Sequence, residues 1–417
     1  MRIPSHKHDT LVVWLLLSAG IVAKGEEFYV LQGVDKSHSD ELLTAPWVKG
    51  FTIRVSWQKL HEEGFAWLDQ QIERGDELDV DIQLRVMAGS NAPENLPGVD
   101  YFQYLTNQDG SIESRTAPVP WDPEMHLHWR SLVSQLAIRY GNNPRVKVVH
   151  IPGFANSSEM HVPDEIALLP GYSSPVLAES WALMAEPLVD AFSGAIISLN
   201  YATPTQSQLD SEDSDWLLDQ LAAMAGYRAG YQANDLSANV ALDREKYQTL
   251  VEQQQLGRSI GFQMVSMSDS SRFGGEFLDA VATSVDAGGQ WLEIYVADVE
   301  NIPPPGDYNL NGAVDGADYV VWRRARGTIA NLATDGMGSK VIGLSDYLFW
   351  KSHFGETSEA APAGSGSSHT AAPEPATWSM VLLAITAINC RRSPGAFPRV
   401  SVVIHARTHH TAALKRA

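Results

Sequence analysis

Eight short apolar runs recur along this chain, separated by stretches with helical periodicity. The runs cover residues 28–35, 51–57, 80–87, 146–154, 195–201, 228–233, 260–267 and 290–297. Between them lie patterns such as AWLDQQIERGDEL, HWRSLVSQLAIRYG, LAESWALMAEPLVDAF, DWLLDQLAAMAGY, REKYQTLVEQQQL and GGEFLDAVATSVDAGG, with residues 39–47 as the helix between the first two runs. Strand and helix alternating eight times predicts an α/β fold, a parallel (β/α)8 barrel over residues 26–302. A doubly wound sheet shares the alternation, but it needs no eighth strand and usually carries a Gly-rich phosphate turn, which is missing here. Such a barrel takes roughly 250 residues, so a chain of 417 has room for more than the barrel.

The parity within the runs says what the barrel contains. Side chains alternate along a strand, so one set faces the helices and the other the lumen. One set is aliphatic, as in Ile53 and Val55, or Ile82, Leu84 and Val86. The other holds Thr52, Arg54, Ser56, Gln83, Arg85, His150, Ser198, Asn200, Gln232, Asn234, Gln263, Glu293 and Tyr295. A lumen that serves packing alone is filled with Val, Ile and Leu. Buried charges are costly unless paired and hydrogen-bonded. The polar set therefore points to a ligand; the structural alternative is an ion pair of Glu293 with Arg54 or Arg85.

In such barrels the C-terminal ends of the strands carry the chemistry. Glycosidic hydrolysis needs two carboxylates at one pocket, one to protonate the leaving oxygen and one as nucleophile or base. Glu159, in the loop after the fourth run, is the expected general acid/base, and Glu293 in the eighth run the second carboxylate. Arg54 and Arg85 are expected to orient a carboxylate, with Gln83, Asn156, Gln232 and Asn234 on sugar hydroxyls. Trp57, Asn200 and Tyr295 complete the expected substrate lining. No metal-ligand cluster, G-x-S-x-G elbow or catalytic cysteine stands in the barrel, so no cofactor is expected there.

The segments GFTIRVSWQKL, DIQLRVMAGSNAPENLP, VPWDPEMHLHWRSLVSQLAIRYG and VVHIPGFANSSEMHVP resemble β/α-barrel glycoside hydrolases of the large retaining clan, the cellulase and β-galactosidase relatives. The resemblance spans about residues 28–300 and implies hydrolysis of O-glycosidic bonds in a polysaccharide. That clan has an arginine on the second strand, matched by Arg54, and an Asn-Glu pair ending the fourth, with Glu as acid/base. Here two serines separate Asn156 from Glu159. The clan's nucleophile ends the seventh strand, where GFQMVSMSD offers only Asp269. Either Glu293 takes that role from the eighth strand, or the barrel binds glycans without hydrolysing them.

After Pro303-Pro304-Pro305 the chain repeats itself with a 28-residue period: GDYNLNGAVDGADYVVWRRARGT, then TDGMGSKVIGLSDYLFWKSHFGET. In the first copy Asp307, Asn309, Asn311, Asp315 and Asp318 fall at loop positions 1, 3, 5, 9 and 12, with Gly312 at position 6 and the Ala313 carbonyl at position 7. Oxygen donors at that spacing around a turn glycine are the pattern of a calcium loop. The second copy has Met337, Ser339 and Lys340 within its loop, so one Ca2+ is expected, in the first loop only. The pair resembles a dockerin type I module, a small all-α unit over residues 303–357, which implies a cohesin-like protein partner.

The ends suggest export. Residues 11–23 form an apolar stretch after a weakly basic start, the pattern of a secretory signal over residues 1–25. An Ala/Gly/Ser/Pro-rich linker follows the module over 358–372. Then Pro373-Glu374-Pro375, an apolar stretch over 376–388 and Arg391-Arg392 resemble a PEP-type C-terminal sorting signal over 373–392, implying a sorting machinery and a secreted or surface location, transiently membrane-anchored. A basic tail, 393–417, closes the chain. Net charge is −20, and both ends are basic, so the middle is more acidic still. Such a field repels phosphate backbones and argues against nucleic acid.

Overall fold

The computed structural model describes residues 27–45, 47–108, 111–155, 159–242, 244–328, 332 and 341–357. The expected leader, linker, sorting segment and tail lie outside the described residues, as do Asn156 and positions 335–340 of the second repeat.

In chain order the strands are β1 (Glu27–Leu31), β2 (Val48–Ser56), β3 (Asp81–Met87), β4 (Tyr101–Gln108), β5 (Ser111–Pro118), β6 (Val146–His150), β7 (Ile196–Asn200), β8 (Ala229–Leu236), β9 (Ser259–Met264) and β10 (Trp291–Tyr295). All except β4 and β5 are parallel and close a barrel in the order β1-β10-β9-β8-β7-β6-β3-β2. Each of the eight apolar runs supplies one of these strands. The aliphatic parity faces outward into one continuous core with the helices, where Ile53, Val55, Ile82, Leu84, Leu292 and Ile294 are all buried. Burying each such side chain contributes about 1.5–3 kcal/mol.

The outer layer holds α1 (Asp40–Leu43), α2 (Trp57–Glu63), α3 (Ala66–Glu77), α4 (Pro123–Tyr140), α5 (Ser174–Ala191), α6 (Pro204–Ser207), α7 (Ser211–Ala225), α8 (Glu245–Gln255) and α9 (Phe277–Ala287). The helix expected over 39–47 is a single turn, capped where the Ser39 side chain accepts from Leu42 N–H. No full helix follows β10 either; a 3-10 turn, Val296–Asn301, takes its place. The ring is thin at this seam, and a groove of about 920 Å3 lies there, lined by residues such as Leu42, Trp47, Val299 and Ile302. Among the described residues no helix is long and apolar enough to cross a membrane.

The floor of the lumen is apolar. Tyr29, Val148 and Trp291 form their own buried cluster with Ile196 against it. The indole of Trp291 lies so close to β9 that a Cβ on Gly261 would stand 2.0 Å from it. Only glycine admits that approach. The Trp291 Nε1–H donates to Gln232 Oε1 at 2.6 Å, joining the floor to the polar layer above.

An antiparallel hairpin, β4–β5, interrupts the alternation between β3 and α4. Its inner face buries Phe102, Tyr104 and Ala117, and Leu105 N–H donates to Glu165 Oε1 at 3.2 Å. Asp122 ties it to the barrel: one carboxylate oxygen accepts from Asp100 N–H, the other caps α4 through Glu124 and Met125. The hairpin was not expected, although alternating residues around Asp109-Gly110 carry its sequence signal.

The C-terminal repeat forms two helices, α10 (Gly316–Ala325) and α11 (Leu344–His353), related by the 28-residue period. Their hydrogen bonds obey the same period. Trp322 Nε1–H donates to Gly343 O, and Trp350 Nε1–H to Asp315 O. Gly327 N–H donates to Ile342 O while Gly355 N–H donates to Val314 O. Tyr319, Trp322, Tyr347 and Trp350 pack together at the centre. The duplication read in the sequence is thus a structural pseudo-twofold.

Candidate functional site

The register places Arg54 beside Arg85, Arg85 beside His150, His150 beside Ser198, Asn200 beside Gln232, and Gln263 beside Glu293. All face the lumen, as their parity requires. They divide into a sealed lower layer and a partly open rim.

Glu293 centres the lower layer and is 0% exposed. Its Oε1 accepts from Thr52 Oγ1 at 2.5 Å, and its Oε2 from Gln232 Nε2 at 2.6 Å and from the Arg85 guanidinium. Arg85, 1% exposed, also donates to Gln263 Oε1 at 2.9 Å. Burial pushes the Arg85 guanidinium below its usual range, and the Glu293 charge opposes that shift. Gln232 spends its second N–H on Asn234 Oδ1 at 2.8 Å. This is the ion pair foreseen as the structural alternative, formed with Arg85.

His150 lies beside this network, 3.1 Å from Asn200 Oδ1 through Nδ1 and 2.9 Å from the Gln83 amide through Nε2. Burial, then the Arg85 charge, holds its pKa well below the usual imidazole value, so it is neutral and has one N–H. With Nδ1–H given to Asn200, Nε2 is an acceptor, and the facing Gln83 amide must present its NH2. Burial also lowers His38, to about 4, and His126. The sign of the linkage follows. Below roughly 6.5 the unfolded chain takes up protons that these folded imidazoles refuse, so stability falls as pH drops from about 6.5 toward about 4. Urea unfolding at pH 7 and pH 5 should show the lower stability at pH 5, with a gap up to about 2 kcal/mol smaller in His150→Gln. Equal gaps in the two proteins would contradict this reading of His150.

The rim is more open. Arg54, Asn234, Gln263 and Tyr295 are half-buried. Glu159 and Asp235 have side chains 21% and 31% exposed. Between these two carboxylates stands Lys246, in the first turn of α8, with a side chain only 6% exposed. Its ammonium is 3.3 Å from Asp235 Oδ1 and 4.0 Å from Glu159 Oε1. The two carboxylates therefore lie no farther apart than these two contacts allow together. That limit overlaps the separations used in glycoside hydrolysis, roughly 5–5.5 Å for retention and 6.5–9.5 Å for inversion. Tyr247 OH donates to the same Asp235 oxygen at 3.2 Å.

The other expected site residues divide accordingly. Gln83, Asn200 and Gln232 are sealed in the lower layer with Arg85 and Glu293. Trp57 is not in the lumen: the strand ends at Ser56, and Trp57 opens α2, buried against Trp129 with ring centres 5.6 Å apart. Two other acids in the strand-end loops serve the backbone. Asp35 accepts from Ser56 N–H and Oγ–H, and Asp298 from Ser268. Lys246 and the partnership of Asp235 with Glu159 escaped the sequence reading.

No protein-family model and no curated protein matches this chain. Solved structures similar to it include a glycoside hydrolase at 10% identity and TM-score 0.43, covering 64% of this chain and 86% of that one. A GH5 family lichenase from Caldicellulosiruptor sp. F32 is similar at 10% identity and TM-score 0.41, covering 71% and 88%. D-psicose 3-epimerase from Clostridium cellulolyticum H10 is similar at 6% identity and TM-score 0.41, covering 64% and 84%. At these scores the likenesses carry no argument about chemistry, and the barrel rests on its own strand pairing.

Proposed function

We propose that the chain is an exported carbohydrate-active protein whose barrel hydrolyses O-glycosidic bonds of a polysaccharide at its rim. The observation that supports this best is the pair of partly exposed carboxylates, Glu159 and Asp235, held together by buried Lys246. Glu159 keeps the acid/base role expected of it. Asp235, rather than Glu293, is the second carboxylate in this reading, because Glu293 is enclosed and already accepts from three side chains. Glu293 instead fixes Arg85 and Gln232 beneath the substrate. Reducing-sugar release from a polysaccharide panel, measured for wild type, Glu159→Gln and Asp235→Asn, tests the assignment. A second reading, a glycan-binding barrel without hydrolysis, draws on the same enclosure of Glu293; binding without release by the wild type would favour it.

The C-terminal module fits one Ca2+. Asp307 and Asp318 are fully buried, and burial raises both, Asp307 to about 6 with the Asp318 charge adding to the shift. Two enclosed aspartates in mutual repulsion suit a cation. Loop N–H groups orient the donors: Gly312 to Asp307 Oδ2 at 2.7 Å, Asn311 to Asn309 Oδ1 at 3.0 Å, Ala313 to Asn311 Oδ1 at 3.1 Å and Asp315 to Asp318 Oδ2 at 2.7 Å. No cluster of three His, Cys, Asp or Glu forms among the described residues. The amide oxygens of Asn309 and Asn311 and the Ala313 carbonyl would therefore have to complete the shell. Calorimetry should find one site, lost in Asp307→Ala; two tight sites would contradict this. A cohesin-like partner and a sorting machinery acting on 373–392 belong to the same proposal.

A further inference from the structure

The rim carries two cations that the proposed chemistry does not use. Arg54 projects from the end of β2 into the lumen, in register with Arg85. Two guanidiniums side by side repel each other, and a partly buried one is stable only with anionic or acceptor partners. Arg85 has Glu293, but that carboxylate is already shared among Thr52, Gln232 and Arg85 itself. Arg54 makes no ion pair among the described residues. Its one hydrogen bond is a long one, Nη1–H to the Gln32 carbonyl at 3.3 Å, and its buried Nε–H finds no acceptor. Tyr295, half-buried at the end of β10, lies in the field of Arg54, and the exposed Arg272 of the β9–α9 loop adds its charge there. Arg272 also lacks an ion pair among the described residues. The acids of the flanking loops are occupied, Asp35 by Ser56 and Asp298 by Ser268. Asp269 is exposed on the same loop as Arg272. In a chain of net charge −20, a guanidinium that shares the field of one carboxylate with Arg85 and makes no ion pair of its own calls for an anion.

We propose that the rim takes a glycan containing uronic acid, with Arg54 reading the sugar carboxylate and Arg272 supporting it. This rests on the glycan reading above and names the substrate class. A guanidinium presents paired N–H groups that match a carboxylate side-on, which a hydroxyl cannot. The division of the rim is consistent with the role. Glu159 and Asp235 follow β6 and β8, with Lys246 between them, and Arg54 stands on β2, across the closed barrel from β8. A bound sugar would then direct its glycosidic bond to one side and its acid to the other.

The test compares matched polymers. A galacturonan, a glucuronoxylan and an alginate are each offered to the full chain beside their carboxyl-reduced forms, with binding read by calorimetry at low and high salt. The expected result is tighter binding of at least one acidic polymer than of its reduced form, weakened by salt. Arg54→Gln should lose about tenfold in affinity for that polymer and distinctly less for its reduced form. Arg54→Lys should fall between the two, and Arg272→Gln, on an exposed loop, should weaken the acidic polymer alone, which keeps the test open if Arg54→Gln folds poorly. Equal binding of acidic and reduced forms, or equal losses on both in Arg54→Gln, would overturn the uronate inference and leave the glycan reading standing. Binding of no polymer in either form would overturn both.

Discussion

Glu293→Gln is expected to lower the stability of the barrel by about 3–5 kcal/mol, the usual cost of removing one partner from a buried ion pair. The variant keeps an amide that can still meet Thr52 and Gln232, but it leaves the Arg85 charge enclosed at 1% exposure without its counter-ion. For a domain of this size that corresponds to a fall in Tm on the order of 10 °C. Two controls isolate the cause. Arg139→Gln breaks a pair with Asp69 whose side chains are 44% and 36% exposed, and should cost under about 1 kcal/mol. Pairing Arg85→Met with Glu293→Gln should recover part of the loss, because the stranded charge goes with the arginine. A Glu293→Gln protein as stable as wild type would mean that water reaches the lower layer, and Glu293 would return as a candidate for chemistry.

The second large effect is on rate. Glu159→Gln and Asp235→Asn should each reduce kcat on a hydrolysed polysaccharide by roughly 10²–10⁴, the contribution of a positioned acid or base. Both side chains are partly exposed and meet the ammonium of Lys246 at 4.0 and 3.3 Å, so the loss of Tm should be small beside that of Glu293→Gln. This opposition separates the roles: rim variants lose turnover and keep their stability, the lumen variant loses stability. A Glu159→Gln protein with wild-type turnover would remove Glu159 from the chemistry.

The barrel was legible because two periodicities are superposed in each run. Aliphatic residues at every second position fix which face meets the helices, and the polar remainder must then line the lumen. Thr52, Arg85, Gln232 and Glu293 accordingly meet as their parity demands. Parity does not give height along the barrel axis, however, and height separates a sealed Glu293 from an open Glu159. It also fails at the ends of strands: Trp57 follows the last residue of β2 but already belongs to a helix. Asp235 and Lys246 are eleven positions apart, and only the turn from β8 into α8 brings the ammonium between Asp235 and a loop on another strand. The module was readable in more detail because its repeat is local: Trp322 Nε1–H donates to Gly343 O as Trp350 Nε1–H donates to Asp315 O, each bond the other's counterpart 28 residues away.

The proposed chemistry requires a glycan at the rim between the Glu159–Asp235 side and Arg54. The most direct test is a crystal structure of the Glu159→Gln protein with a bound oligosaccharide. A sugar ring within hydrogen-bond reach of residue 159, Asp235 and Arg54 is the predicted result. A sugar held elsewhere, such as the groove beside α1, with the rim unoccupied, would contradict it.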